Sequence, residues 1–335
     1  MSERPADATL GATSERATLA QIFPRLPQSS ATIVGPGDDA AVLAAPDARY
    51  VVTTDMMVHG PDFRWAWSSP YDLGWKAAAT NLSDVAAMGA VPTALVVAIA
   101  APSSTPVGHL LALADGLRDA CSRLAPGCGV VGGDLSVSDT FTIAVTAFGD
   151  LQGRDPVLRS GARVGDIVAV SGPLGLAATG LRQLFESAVD AEGEPDASLF
   201  AGVLGAHPHT VTAQLRPHPP IADGPLAAQA GATAMLDLSD GLALDARRVA
   251  EASGVAIDLD ASRLGASGLG VDTRTALTGG EDHSLFATFG AQASLPGGFR
   301  AIGRVVDGAG LLVDGRPFDE RGGWDPYLEW NGQAG

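Results

Sequence analysis

Apolar, β-branched stretches alternate along the chain with longer amphipathic segments, a pattern that predicts alternating strands and helices. In the first half, the predicted strands are residues 49–55, 91–101, 128–131 and 140–148, and the predicted helices are residues 15–23, 69–89 and 106–124. Ser69, Pro70 and Asp72 are residue types preferred at the N-cap, N1 and N3 positions of a helix. The helix at 69–89 therefore has a well-defined predicted start.

The second half repeats this alternation after residues 149–165, where Gly, Asp and Arg interrupt the pattern. We place a domain boundary near Gly153, which predicts domains 1–152 and 153–335. The predicted strands are residues 166–170, 255–259, 283–289, 300–306 and 310–313, with a helix at 174–186 and a strand–turn–helix unit at 235–254. This order of elements is typical of an α/β (α+β) protein, and no period of 20–50 residues indicates a repeat architecture.

Composition excludes several classes of protein. The 335 residues are 46% hydrophobic and carry a formal charge of −17, from 38 acidic and 21 basic residues. A sequence pI near 4.5 without a basic stripe argues against nucleic-acid binding. The longest apolar run, residues 94–101, is far shorter than the roughly 20 residues that span a bilayer. The polar N-terminus predicts a cytoplasmic protein, and Cys121 and Cys128 are expected to be free thiols.

Carboxylates recur next to Gly, Ser or Thr near the ends of apolar segments. Their positions are Asp39, Asp55, Asp84, Asp134, Asp237, Asp240 and Glu281. If several of these side chains converge, their mutual repulsion needs a positive charge to offset it. Since the chain has few side-chain cations, Mg²⁺ is the natural candidate, and it prefers oxygen ligands of this kind.

Each carboxylate has a simpler interpretation when it is taken alone. An Asp after Gly is common in turns, and Asp240 is well placed to cap a helix over residues 241–251. Asp84 differs, because it lies late in a predicted helix where no cap is needed. The chain lacks a P-loop, the protein-kinase motifs and a dinucleotide-binding glycine fingerprint. Any phosphoryl transfer here must therefore rely on metal ions for most of its charge stabilisation.

The ordered set of motifs resembles the thiamine-monophosphate kinase family, within the superfamily similar to aminoimidazole-ribonucleotide synthetase. The motifs are GDDAAVL (37–43), TTD (53–55), NLSDVAAMGA (81–90), GGD (132–134), LRPHP (215–219), DLSDGL (237–242) and GGED (279–282). The resemblance implies an N-terminal ATP- and Mg²⁺-binding domain that pairs its sheet across a homodimer, followed by a C-terminal α/β domain. It also implies direct in-line phosphorylation of thiamine monophosphate by ATP, with no phosphoenzyme.

Site residues follow from the same resemblance. The implied Mg²⁺ ligands are Asp39, Thr53, Thr54, Asp55, Asp84, Asp134, Asp237 and Asp240, and the implied nucleotide contacts are Gly133, Asp134, Arg159 and Ser239. Glu281 and Trp324 would contact the thiamine portion of the substrate. The family's His-Phe pair is replaced here by Asp62-Phe63, so that either Asp62 or the earlier His59 would take over that contact, or the contact is absent.

Two other functions stay open from the residues alone. One is a different ATP-using enzyme of the same superfamily, although no Cys precedes Cys121 as a selenide enzyme would need. The other is a non-enzymatic acidic module that binds metal or a partner, although the chain has no DxDxDG calcium loop.

Overall fold

The computed structural model describes residues 9–13, 15–35, 41–264, 271–320 and 322. In the first half the helices are α1 (Glu15–Ile22), α2 (Pro70–Ala87) and α3 (Val107–Leu124), and the strands are β1 (Thr32–Val34), β2 (Val42–Leu43), β3 (Val51–Val58), β4 (Val91–Ala101), β5 (Gly129–Val137) and β6 (Thr142–Asp150). Strands β1 and β2 form a small antiparallel pair. The other four form a sheet in the order β3-β6-β4-β5, in which β4 and β5 run parallel.

One face of this four-stranded sheet is covered by helices. Ile143, Val145 and Ala147 of β6 are buried in a core that also contains side chains of α2 and α3. The opposite face carries Val52 and Met56 of β3, which are 56% and 62% exposed. Strand β3 lies at the edge of this sheet. Its unpaired side and both of its faces therefore border the open space beside the sheet.

The second half forms a larger mixed sheet. Its strands are β7 (Ile167–Ser171), β8 (Ala232–Leu238), β9 (Ala256–Leu259), β10 (Ser284–Phe289), β11 (Arg300–Val306), β12 (Gly310–Val313) and β13 (Arg316–Pro317), in the order β13-β12-β9-β11-β7-β10-β8. Its helices are α4 (Leu176–Ser187), α5 (Ala197–Ala206), α6 (Pro208–Leu215), α7 (Asp223–Gln229), α8 (Leu242–Ser253), α9 (Ala261–Leu264) and α10 (Thr273–Thr278). Strand β10 is buried along its whole length, with cores on both faces of the sheet.

Helix α2 joins the two halves. Its start follows the predicted capping pattern: the Ser69 hydroxyl accepts from the Asp72 N–H at 3.2 Å, and the Asp72 carboxylate accepts from the Ser69 N–H at 3.0 Å. The indole Nε1 of Trp75 donates to the Pro217 carbonyl at 2.8 Å. Fourteen of the eighteen residues in α2 are buried, so this helix fixes the relative position of the two sheets.

Several predicted elements agree closely with the structure. The strands at 91–101, 300–306 and 310–313 have the predicted bounds, and the strand–turn–helix unit over 235–254 is present as β8 and α8. The mixed α/β fold is confirmed. The prediction that Asp55 and the GGD segment lie at strand ends is wrong, because pairing with β6 and β4 continues past them and both lie inside their strands. The two large sheets fall on either side of residue 153.

No helix in the described ranges combines the length and the apolar character needed to cross a membrane.

Two glycines allow α2 and α3 to approach closely. A Cβ at Gly74 would lie 2.1 Å from the Leu113 carbonyl oxygen, and a Cβ at Gly116 would lie 2.1 Å from the Tyr71 carbonyl oxygen. We expect Gly116→Ala to lower the free energy of unfolding by about 3 kcal/mol, because the backbones must separate to admit the methyl group. Denaturant titration measures this change.

The matched control is Gly202→Ala in α5, where a Cβ would have no heavy atom within 4 Å. This substitution is expected to stabilise the chain by about 0.5–1 kcal/mol, through helix propensity alone. Equal effects of the two substitutions would contradict close packing at the α2–α3 crossing.

Candidate active site

A cleft of about 1100 Å³ lies between the two sheets. Its walls come from strand β3, helix α2, residues 156–159, the turn after β8 and the loop at 279–283. Six acidic side chains line it, namely Asp55, Asp62, Asp84, Asp237, Asp240 and Glu281, and so do four basic ones, namely Arg49, Lys76, Arg159 and Arg248. The carboxylates thus converge from positions more than 200 residues apart in the chain.

Asp55, Asp84 and Asp237 form the acidic centre of the cleft. The Thr53 hydroxyl donates to Asp84 Oδ2 at 2.9 Å, which orients the carboxylate from α2 toward β3. The Ser83 hydroxyl donates to Asp237 Oδ2 at 3.0 Å and so connects α2 with β8. Each carboxylate is therefore held on a rigid element.

The three carboxylates repel one another. Burial raises the pKa of Asp84 to about 7, and the charges of Asp237 and Asp55 add to this effect. Burial and the charges of Asp237, Asp240 and Glu281 also raise the pKa of Asp55, although His283 opposes them. Such a cluster is destabilised when every member is ionised, and a bound cation would remove that penalty.

The donor set fits a hard divalent cation. The carboxylates and the hydroxyls of Thr53 and Ser83 supply oxygen ligands, which Mg²⁺ prefers, and His283 Nδ1 lies 3.1 Å from Asp237 Oδ2. Among the residues that the structure describes, no three Asp, Glu, His or Cys side chains already converge closely enough to hold a metal. A cation bound here would therefore have to draw the carboxylates together or share them with water and a ligand.

Asp240 already has a cationic partner. Its Oδ2 lies 2.7 Å from the guanidinium of Arg248, which also contacts Asp245 at 2.5 Å. Asp245 is 1% exposed and accepts from the N–H groups of Asp240 and Gly241, and burial raises its pKa to about 7. Arg248 therefore neutralises part of the negative charge at this end of the cleft, whereas Asp55 and Asp84 have no comparable partner among the described residues.

Thr54, Gly133 and Asp134 do not line the cleft. The Thr54 hydroxyl donates to the Val145 carbonyl at 3.0 Å, on the face of the sheet opposite Thr53 and Asp55. Asp134 lies on β5, at the other edge of the four-stranded sheet from β3. Paired positions place Met56, Ala144, Ala98 and Asp134 in one row across the open face. Met56 at one end of this row lines the cleft, whereas Asp134 at the other end is separated from the acidic centre by the width of the sheet.

The remaining predicted residues are placed as follows. Arg159 and Ser239 line the same cleft as Asp237 and Asp240. Asp39 and Trp324 lie outside the described residues.

Asp62 borders the cleft and His59 does not. Asp62 Oδ2 accepts from the Val58 N–H at 2.7 Å, and burial raises its pKa. The His59 ring stacks on Trp65 with a centroid distance of 5.9 Å, and its Nε2 is buried without a hydrogen-bond partner. Of the two residues named as possible substrate contacts, Asp62 is therefore the one that borders the cleft.

The loop at 279–283 holds three polar side chains in a constrained backbone. Glu281 and His283 have φ angles of 71° and 52°, in the left-handed region that non-glycine residues rarely occupy. The Glu281 N–H donates to the Ser239 carbonyl at 2.8 Å, and the His283 N–H donates to the Leu238 carbonyl at 3.1 Å. The loop is thereby fixed to the turn that carries Asp237 and Asp240.

The side chains of this loop point to three different partners. Asp282 accepts from the N–H groups of Leu176 and Ala177 at the start of α4, and burial raises its pKa to about 6. His283 Nδ1 lies 3.1 Å from Asp237 Oδ2. Glu281 forms an ion pair with Lys76 of α2. No sequence motif pointed to Lys76, Arg248 or His283 as site residues, and the one signal for Lys76 is that it is the sole lysine of the chain.

Known proteins resemble this chain over most of its length. The family model for the AIR synthase related protein, N-terminal domain, matches residues 37–151. A thiamine-monophosphate kinase from Mycobacterium tuberculosis (strain CDC 1551 / Oshkosh) is 45% identical over 318 residues, which cover 92% of this chain and 90% of that protein. The thiamine-monophosphate kinase of Bacillus subtilis (strain 168) is 36% identical over 245 residues, 72% of each chain.

Solved structures share the fold. The structure of AaThiL complexed with AMPPCP and TMP aligns with a TM-score of 0.68 and 31% identity, covering 86% of this chain and 90% of that one. Escherichia coli HypE, a hydrogenase maturation protein, aligns with a TM-score of 0.59 at 19% identity, over 90% of this chain and 95% of that one, which bears on the fold alone. The identity and coverage of the curated relatives show that this chain belongs to the thiamine-monophosphate kinase family.

Proposed function

We propose that this chain transfers the γ-phosphoryl group of ATP to the phosphate of thiamine monophosphate, which gives thiamine diphosphate and ADP. The observation that carries this proposal is the acidic cleft, in which Asp55 and Asp84 of one domain face Asp237 of the other. The related AaThiL binds AMPPCP and TMP, which are an ATP analogue and the proposed acceptor.

Divalent metal is part of the proposal. Asp55, Asp84 and Asp237 would hold Mg²⁺, with the Thr53 hydroxyl beside them. When bound, the metal would neutralise the charge of the polyphosphate and of these carboxylates. Asp39 and Asp240 remain proposed ligands. The ion pair with Arg248 makes Asp240 a weaker candidate than Asp55 or Asp84.

The residues of the chain would position the reactants. Arg159 lines the cleft and can bind a phosphate with two parallel hydrogen bonds. Asn81 accepts from the Asp55 N–H at 3.1 Å and so fixes the backbone of β3 next to the reaction site. No general base is needed, because the attacking oxygen of the acceptor phosphate is already anionic. Catalysis would then consist of alignment and electrostatic stabilisation.

The open face of the four-stranded sheet supports a homodimer. It exposes Val52 and Met56, and no helix in the described ranges covers it. We propose that a second copy packs on this face and that Asp134 of each protomer serves the site of its partner. The separation of Asp134 from the acidic centre within one chain supports this arrangement.

Replacing Asp84 by Asn tests the acidic centre. Asp84→Asn should lower turnover by on the order of 10²-fold, because it removes a charge that would hold metal at the developing phosphate charge. The same change relieves repulsion, so the melting temperature without metal should not fall, while the increase caused by Mg²⁺ should shrink. Steady-state kinetics and thermal melts with and without Mg²⁺ measure both effects.

The control is Asp307→Asn, an exposed carboxylate in the turn between β11 and β12. It should leave turnover and the effect of Mg²⁺ unchanged. Near-normal turnover of Asp84→Asn would contradict the proposed role of the cluster.

Mixed dimers test the role of Asp134. A heterodimer of Asp84→Asn with Asp134→Asn, purified through two different tags, would contain one intact site if Asp134 acts across the interface. Its turnover should then be about half that of the wild type, although both parent homodimers are impaired. The matched control is a heterodimer of Asp84→Asn with Asp55→Asn, in which both sites stay defective because these two residues share one cleft. A mixed dimer no more active than its parents would contradict the proposal.

A further inference from the structure

Lys76 is the only lysine among the 21 basic residues of the chain, and it is buried. Its side chain is 6% exposed, although it lines the cleft. An ammonium group in such a place is costly unless it is paired and hydrogen bonded. The partners of Lys76 therefore indicate what it does.

Those partners come from the second half of the chain. The Lys76 ammonium forms an ion pair with Glu281 Oε2. With the Gln214 side-chain amide oriented to satisfy both neighbours, its nitrogen donates to the Ala177 carbonyl at 3.1 Å, and its oxygen accepts from Lys76 at 3.2 Å. The Lys76 ammonium thus connects helix α2 to both α6 and the 279–283 loop.

Glu281 needs this support. Its backbone is held in the left-handed region at φ 71°, and its N–H is bonded to Ser239, so the loop directs the side chain back toward α2. Burial alone would raise the pKa of Glu281, but the charge of Lys76, followed by that of His283, lowers it below its usual value. Among the described residues Lys76 contacts Oε2, which leaves Oε1 available to accept a hydrogen bond from a ligand.

We propose that Lys76 is a positioning residue, which holds Glu281 ionised and oriented at the end of the cleft that receives the aminopyrimidine and the cationic thiazolium of the acceptor. Asp62 lies close enough that the charges of Glu281 and Lys76 both act on its pKa. Lys76 thus offsets part of the negative charge of the two carboxylates, and Arg64 and His283 act on them as well. Glu281, held ionised, can accept a charge-assisted hydrogen bond from the amino group of the acceptor and attract its cationic ring. The proposal rests on the proposed function.

A double-mutant cycle tests whether Lys76 acts through Glu281. Lys76→Met keeps the length of the side chain and removes its charge. It should raise the KM for thiamine monophosphate by about 10- to 100-fold, the range for loss of one charge-assisted hydrogen bond, while the KM for ATP changes less than about twofold. In a Glu281→Gln background, the same substitution should add less than about threefold. Arg304→Met, whose side chain is 72% exposed, is the control and should change neither KM.

Two kinetic outcomes would overturn the proposal. If the effects of Lys76→Met and Glu281→Gln multiply, Lys76 binds the substrate independently of Glu281. If the KM for ATP rises as much as that for thiamine monophosphate, Lys76 serves the nucleotide end of the cleft.

The single lysine also permits a direct measurement that does not depend on turnover. A chain labelled with ¹³C-lysine has one lysine Hε–Cε resonance, which reports on Lys76 alone. We expect Glu281→Gln to shift this resonance, and thiamine monophosphate to shift it more in the wild type than in Glu281→Gln. An identical resonance in the two proteins would show that Lys76 does not hold Glu281. If the wild type forms no thiamine diphosphate, the proposed function fails, while the comparison of resonances still decides whether the pair exists.

Discussion

The buried helix α2 is the constraint on which the site depends. Gly74 packs against α3 with no room for a side chain, and Trp75 is bonded to Pro217 in the other half of the chain. These contacts leave α2 little freedom to rotate or slide. Lys76 and Asp84 are two turns apart on this helix and face the cleft. The packing of apolar residues therefore sets the positions of both charges.

Such a site stores unfavourable energy in the folded chain. Asp84 is buried among other carboxylates, which raises its pKa to about 7, and Glu281 and His283 occupy backbone conformations that cost about 1–3 kcal/mol each. The surrounding structure must offset these terms. The small residues of the α2–α3 crossing supply dense packing beneath the site helix, and the fully buried strand β10 begins directly after His283. The residues that stabilise the chain and the residues that form the site thus lie in adjacent layers of the same fold.

The pattern of neighbouring residues predicts the helices and strands better than it predicts which residues form the site. The strand Val91–Ala101 is a continuous apolar run, and the start of α2 is fixed by Ser69 and Asp72, so both could be derived from adjacent residues. Asp55 was placed at a strand end because the apolar run stops there. Hydrogen bonds to β6 extend the strand to Val58, and these long-range contacts leave no local signal. The ion pair between Lys76 and Glu281 joins residues 205 positions apart, which no spacing rule can identify.

The alternation of side chains along β3 divides one sequence motif between the two faces of its sheet. Thr53 and Asp55 point to the helix-covered face, whereas Thr54 points to the open face, as a strand period of two requires. A motif read as one unit, TTD, is therefore divided between two environments. Because β3 is an edge strand, residues from both of its faces, Asp55 and Met56 among them, line the cleft. In the proposed homodimer, a second copy packed on the open face would therefore border the cleft beside Met56.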